Sequence, residues 1–103
     1  MAKTEARWNG QVIAASDNCI AVEGKAYFPA VDVKAQFLAP SAQTSVCSWK
    51  GDCNYFDVVV DGKTNAAAGW VYNTPKAAAN AIKGYVAFWK GVEVKGAEFA
   101  KSL

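Results

Sequence analysis

The chain has 103 residues, 52% of them apolar, enough to bury one core and too few to build a second, so a single domain over residues 1–103 is expected. Eleven basic against nine acidic residues leave a formal charge of +2; the lysines are scattered rather than gathered in a stripe, which argues against a nucleic-acid partner. Residues 1–7 are polar and no apolar run reaches bilayer-spanning length, so no membrane partner and a cytoplasmic location are expected.

In chain order, short β-type runs alternate with turn signals. Arg7-Trp8 and Gln11-Val12-Ile13 flank Asn9-Gly10, a dipeptide suited to a type I′ turn because both residues tolerate positive φ. Asp17-Asn18 breaks the chain before Cys19-Ile20-Ala21-Val22, and Glu23-Gly24 turns it into Lys25-Ala26-Tyr27-Phe28. Pro29 ends that strand, since it cannot donate to a ladder. Residues 32–38 interrupt the rhythm: Val33 and Phe37 fall on one side of a helical turn or irregular segment that Pro40 terminates.

The clearest hairpin joins residues 55–60 to residues 63–67 through Asp61-Gly62. Phe56, Val58 and Val60 share one face and Asp57 lies on the other, so the Phe56 face is expected to look inward. A further β run, Gly69-Trp70-Val71-Tyr72, precedes a predicted short helix over residues 74–82, with Thr74 as N-cap, Pro75 at the first helical position and Gly84 as the stop. Runs at residues 85–89 and 91–94 close the core, expected over about residues 7–94. The tail, residues 95–103, is expected to fray from Glu98 onward. About eight short strands and one late helix make a mainly antiparallel β fold, either two packed sheets or a partly open barrel.

Cys19, Cys47 and Cys53 form an odd set in a chain without an export signal, so reduced thiols are expected. No histidine and no Cys-x-x-Cys pair is present, so no metal site and no cofactor is expected. Cys47 is the candidate nucleophile, with the Lys50 ammonium near enough in sequence to favour a thiolate. Against this, a free cysteine commonly behaves as a core residue, and the lack of histidine excludes a Cys-His pair. Cys47 and Cys53 also make a C-x₅-C pair that invites a test for thiol redox chemistry.

Trp8-Asn9-Gly10, Tyr27-Phe28-Pro29 with Asp32-Val33, Cys47 with Lys50-Gly51, Tyr55, Trp70 with Tyr72, and Gly84-Tyr85-Val86-Ala87-Phe88 together resemble the domain of unknown function 427 family. The resemblance runs from about Arg7 to Val94. It implies a β-tent fold, in which two antiparallel sheets meet at a steep angle, similar to methionine sulfoxide reductase B and Mss4-like proteins. It also carries a nucleotidyltransferase-like label. That chemistry needs grouped carboxylates to hold magnesium, whereas Asp52, Asp57 and Asp61 are spread over a turn and a strand.

The residues themselves favour a ligand-binding or partner-binding β domain with a pocket beside the Cys47-to-Tyr55 loop. Its expected lining is Trp49, Lys50, Gly51, Trp70 and Tyr72, with Arg7 as an added donor and Cys47 at or below the floor. The expected ligand is small, anionic or planar. An enzyme, thiol-dependent or nucleotide-transferring, is the alternative, and the oligomeric state is left open. Lys50, read as a surface side chain, is expected to be dispensable for stability, and Trp70 is expected to contribute several kcal/mol.

Overall fold

The computed structural model describes residues 3–102, and over them the fold is mainly β. Its strands are β1 (Thr4–Trp8), β2 (Gln11–Ser16), β3 (Ile20–Val22), β4 (Lys25–Tyr27), β5 (Leu38–Cys47), β6 (Gly51–Val60), β7 (Lys63–Val71), β8 (Val86–Phe88), β9 (Glu93–Lys95) and β10 (Lys101–Ser102). They form three sheets rather than two, in the orders β2-β1-β9, β10-β3-β4 and β5-β6-β7-β8. The last two are joined where Phe28 and Val86 exchange both backbone hydrogen bonds, each at 2.8 Å.

The two-residue turns follow from local chemistry. Asn9-Gly10, Glu23-Gly24 and Asp61-Gly62 all have positive φ at both central positions, the type I′ geometry whose twist matches that of flanking strands. Val60 pairs with Lys63 across Asp61-Gly62, leaving the tight hairpin expected there. Alternation then distributes side chains to two faces. Val58 and Val60 of β6, Val71 of β7, Val86 and Phe88 of β8 and Phe28 join Ile13 and Ala14 of β2 in one core cluster, in which Phe28 and Phe88 meet edge to face at 5.7 Å. Tyr27, Cys53, Trp70, Tyr72 and Ala87 point the other way and pack with Ile82 in a second cluster. The Phe56 face is inward as expected, but the opposite face is covered as well.

Four expectations need correction. Pro40 does not end a segment; it lies inside β5, an edge strand bonded only to β6, with a register shift between Pro40 and Thr44 where a missing N–H is tolerated. Residues 74–82 do not form an α-helix capped by Thr74. A 3-10 segment, Ala77–Ile82, begins only after Lys76, whose extended backbone (φ −65, ψ 159) breaks any helix begun at Thr74, and it is interrupted by a non-helical Ala79; the Lys76 N–H is donated to the Lys50 carbonyl at 2.9 Å. The tail does not fray at Glu98: Lys101 donates to the Cys19 carbonyl at 2.9 Å, and β10 pairs with β3 in parallel, an exception to the antiparallel rule. Leu103 lies outside the described residues. The two-sheet expectation gives way to three because β3 and β4 stop short of β8 except at the Phe28 bridge.

One irregularity shapes the centre of the third sheet. Between Phe56↔Gly69 and Val58↔Asn65, β7 spends three residues where β6 spends one. Ala67, inside this bulge, has φ 55, and its N–H is held by the Asp57 carboxylate at 2.8 Å. Asp57 is therefore a clamp on the bulge rather than only a solvated face residue. Asp57→Ala removes a hydrogen bond to a charged group and should lower unfolding free energy by about 1.5–3 kcal/mol, while Asp57→Asn, which keeps an acceptor, should lose less; urea unfolding of both variants checks the order.

Candidate functional site

The segment around Cys47 is a hairpin. Cys47 pairs with Gly51, leaving Ser48, Trp49 and Lys50 as its turn. Two contacts fix it from outside: the Lys76 backbone N–H on the Lys50 carbonyl, already noted, and the Lys76 ammonium on the Ser48 carbonyl at 2.7 Å. Gly51 has φ 109, and a Cβ there would stand 3.3 Å from the Lys76 backbone nitrogen. The glycine thus permits close approach, but to the chain's own residues 74–76.

So held, Lys50 turns inward. It is 8% exposed, correcting its reading as a surface side chain. Its Nζ donates to Glu23 Oε1 at 2.5 Å and lies 5.3 Å from the Tyr72 ring centroid and 5.5 Å from that of Trp49, within cation–π range. Burial pulls the Lys50 pKa down, yet the Glu23 hydrogen bond and the attraction of the Tyr27 and Tyr72 oxygens outweigh it and hold it above the ordinary 10.5. The same bond lowers the Glu23 carboxyl below 4.5.

A concavity of about 170 Å³ opens beside this ammonium, lined by Lys50, Tyr55, Trp70, Tyr72 and Trp89. Trp70 and Trp89 meet edge to face at 5.6 Å, and Tyr55 lies against Trp89 at 6.4 Å with a 34° tilt. Beneath, the Trp70 indole N–H donates to the Tyr27 hydroxyl at 3.1 Å, satisfying both polar tips of a buried aromatic pair. Burial raises the Tyr27 and Tyr72 hydroxyl pKa values above 10.0, so both phenols stay protonated at neutral pH.

Of the residues expected to meet, Lys50, Trp70 and Tyr72 share this concavity. Trp49 contacts Lys50 without lining it, and Cys47 packs against the second core cluster. Arg7 does not join. It borders a separate hollow with Trp8 and Glu93 and pairs with Glu5 at 3.6 Å, the ordinary fate of a lone surface arginine. Cys53 is buried, and burial raises its thiol pKa above 9.0. It pairs with Ser45 while Cys47 pairs with Gly51, so the two cysteines are diagonal neighbours, a register that sets Cα atoms about 7–8 Å apart where a disulfide needs about 4.4–6.8 Å. Cys19 is also buried, which pushes its pKa up to about 11. Among the described residues no three His, Cys, Asp or Glu side chains gather in a metal-holding group.

Three contributors were not singled out from the sequence as site residues: Glu23, Tyr55 and Trp89. The available signal for Glu23 was its place in Glu-Gly, since the first position of a type I′ turn favours Asn, Asp or Gly.

A family model described as a domain of unknown function, DUF427, matches residues 2–98. The chain belongs to the DUF427 family. No curated protein matches it. Within this DUF427 chain, the resemblance motifs fall on the turn and strands just described: Lys50-Gly51, Tyr55, and Trp70 with Tyr72.

Because Lys50 is buried, Lys50→Ala should destabilise by about 1–3 kcal/mol, through a lost charged hydrogen bond and lost packing of its methylene stem. The ion pair also fixes a pH window. Glu23 has a lowered folded pKa, so its contribution is present above 4.5 and is lost as pH falls through its folded value; Lys50 has a raised one, so its contribution is complete below 10.5 and lost as pH climbs through its folded value. The gap in urea midpoint between the parent and Glu23→Gln should stay level from about pH 5 to 10 and shrink below 4.5. A gap unchanged at pH 3 would break the assignment.

Proposed function

We propose that this chain binds a small planar ligand, one ring in size, in the concavity lined by Lys50, Tyr55, Trp70, Tyr72 and Trp89. The observation that carries this reading is the convergence of four aromatic side chains on a hollow of about 170 Å³ that contains a buried ammonium. That volume is below the roughly 300–1,000 Å³ of drug-sized sites, which sets the ligand's size. The walls offer edges and faces for offset or T-shaped stacking, and the Tyr72 hydroxyl with Lys50 offers donors to a carbonyl.

The thiol-redox and nucleotide-transfer alternatives find less support. Cys53 is buried with a raised pKa, and the Asp57 carboxylate is engaged by the Ala67 N–H.

Titrating ¹⁵N-labelled protein with benzamide, benzoate and phenol tests the reading through the four indole N–H signals. The Trp70 and Trp89 signals should move while that of Trp8, which borders the Arg7 hollow, stays in place. No movement at Trp70 and Trp89 with any of the three rings, or movement at Trp8 instead, would overturn it.

A further inference from the structure

The left-handed backbone positions single out the surroundings of this concavity. Among the described residues, five that are not glycine have positive φ: Asn9, Glu23, Asp61, Ala67 and Lys90. Asn9 and Asp61 are residue types that adopt this conformation readily, whereas Glu, Ala and Lys do so against a steric penalty. All three disfavoured residues touch a residue that lines the aromatic concavity. Glu23 accepts from Lys50, the Ala67 carbonyl accepts from the Trp89 indole at 2.6 Å, and the Lys90 ammonium stands 5.1 Å from the Trp89 ring centroid. Strain retained in a cluster of this kind is characteristic of functional surroundings.

The charges around the concavity are arranged asymmetrically. Lys50 is already matched by Glu23. Trp89, however, is a shared wall: beyond it lies a second concavity of about 310 Å³ whose lining includes Gly24, Lys25 and Lys90 and, among the described residues, no carboxylate. Among the described residues neither Lys25 nor Lys90 is in an ion pair. An anion reaching the molecule here meets positive charge beyond Trp89, while the Lys50 charge inside the aromatic hollow is offset.

We propose, building on the planar-ligand reading above, that the ligand is a single ring carrying one oxyanion, a carboxylate or a phosphate monoester. Its ring lies against Trp89, and its oxyanion projects past the edge of that indole to Lys90, whose ammonium stands 5.1 Å from the ring centroid, with Lys25 beyond it in the second concavity. Glu23, by neutralising Lys50, keeps the oxyanion out of the aromatic hollow and so fixes the ligand's orientation. Lys90 is the specificity-determining residue, which accounts for a lysine at a turn position that asparagine would occupy with less strain.

The test is an NMR titration of the full chain at constant ionic strength with benzamide, benzoate, phenyl phosphate and inorganic phosphate. Benzoate or phenyl phosphate should bind at least about threefold more tightly than neutral benzamide, the size expected of one partly exposed charge pair, and the stronger of the two identifies the oxyanion. Lys90→Gln should remove this excess without changing benzamide, and Lys90→Arg should restore it. Lys90→Asn should lose the excess yet unfold at a higher urea concentration than the parent, since asparagine accepts the left-handed backbone; a residue with only a structural role would not separate the two readouts. If both anions bind no better than benzamide, or Lys90→Gln weakens all three rings alike, the oxyanion subsite is wrong and the planar-ligand reading stands. If inorganic phosphate binds at Lys25 and Lys90 while no ring moves Trp70 or Trp89, both readings fail.

Discussion

The reciprocal hydrogen bond between Phe28 and Val86 is the constraint on which the rest of the arrangement depends. Without it, β3 and β4 would be a separate ribbon. With it, the end of β4 lies against β8, Tyr27 comes beneath Trp70 to accept its indole proton, and the Glu23-Gly24 turn is carried over the β5–β6 hairpin so that Glu23 reaches Lys50. On the reverse face the same bridge places Phe28 against Phe88 in the main core. One pair of backbone bonds thus serves packing on one face and the polar site on the other, and two main-chain bonds hold position more rigidly than a side-chain contact between flexible loops.

A buried ammonium is expensive to desolvate unless it is paired. Here the compensation has three parts: a carboxylate at hydrogen-bonding distance, two ring faces within cation–π range, and a turn clamped twice by Lys76 so that the lysine loses little further freedom on ordering. The carboxylate partner is itself largely exposed, so the pair straddles the boundary between interior and solvent. This is an arrangement in which a site can hold a fixed charge without isolating it from water.

How much of this the sequence disclosed depended on whether the responsible interaction was local. Asn9-Gly10 and Asp61-Gly62 were legible because the preference for positive φ belongs to those residues themselves. The aromatic and lysine content of the site was legible too, because Lys50, Trp70 and Tyr72 lie where turn and strand signals coincide. β5 was not, since an edge strand with mostly exposed side chains shows no alternation to read. Residues 74–82 carry helix-forming signals, yet Lys76 is extended at φ −65 and ψ 159, in a backbone placed against the β5–β6 turn by its bond to the Lys50 carbonyl. Arg7 was drawn toward the site by its chemistry alone, and only the sheet order places it in another hollow. Glu23 and Trp89 enter through contacts that local sequence cannot encode.

The bulge in β7 also bears on which changes of chain length this fold can absorb. Its three residues oppose one on β6, a surplus of two, and an even surplus leaves Asn65 and Gly69 directed to the same side of the sheet. Removing a single residue there would leave a two-against-one bulge, the kind that β1 and β2 already hold between Ala6 and Arg7 without reversing the faces of the strands beyond it. Removing two would leave every downstream side chain on its present face. Length variation at this point is therefore limited less by the number of residues removed than by the loss of Ala67, whose N–H ties the bulge to Asp57.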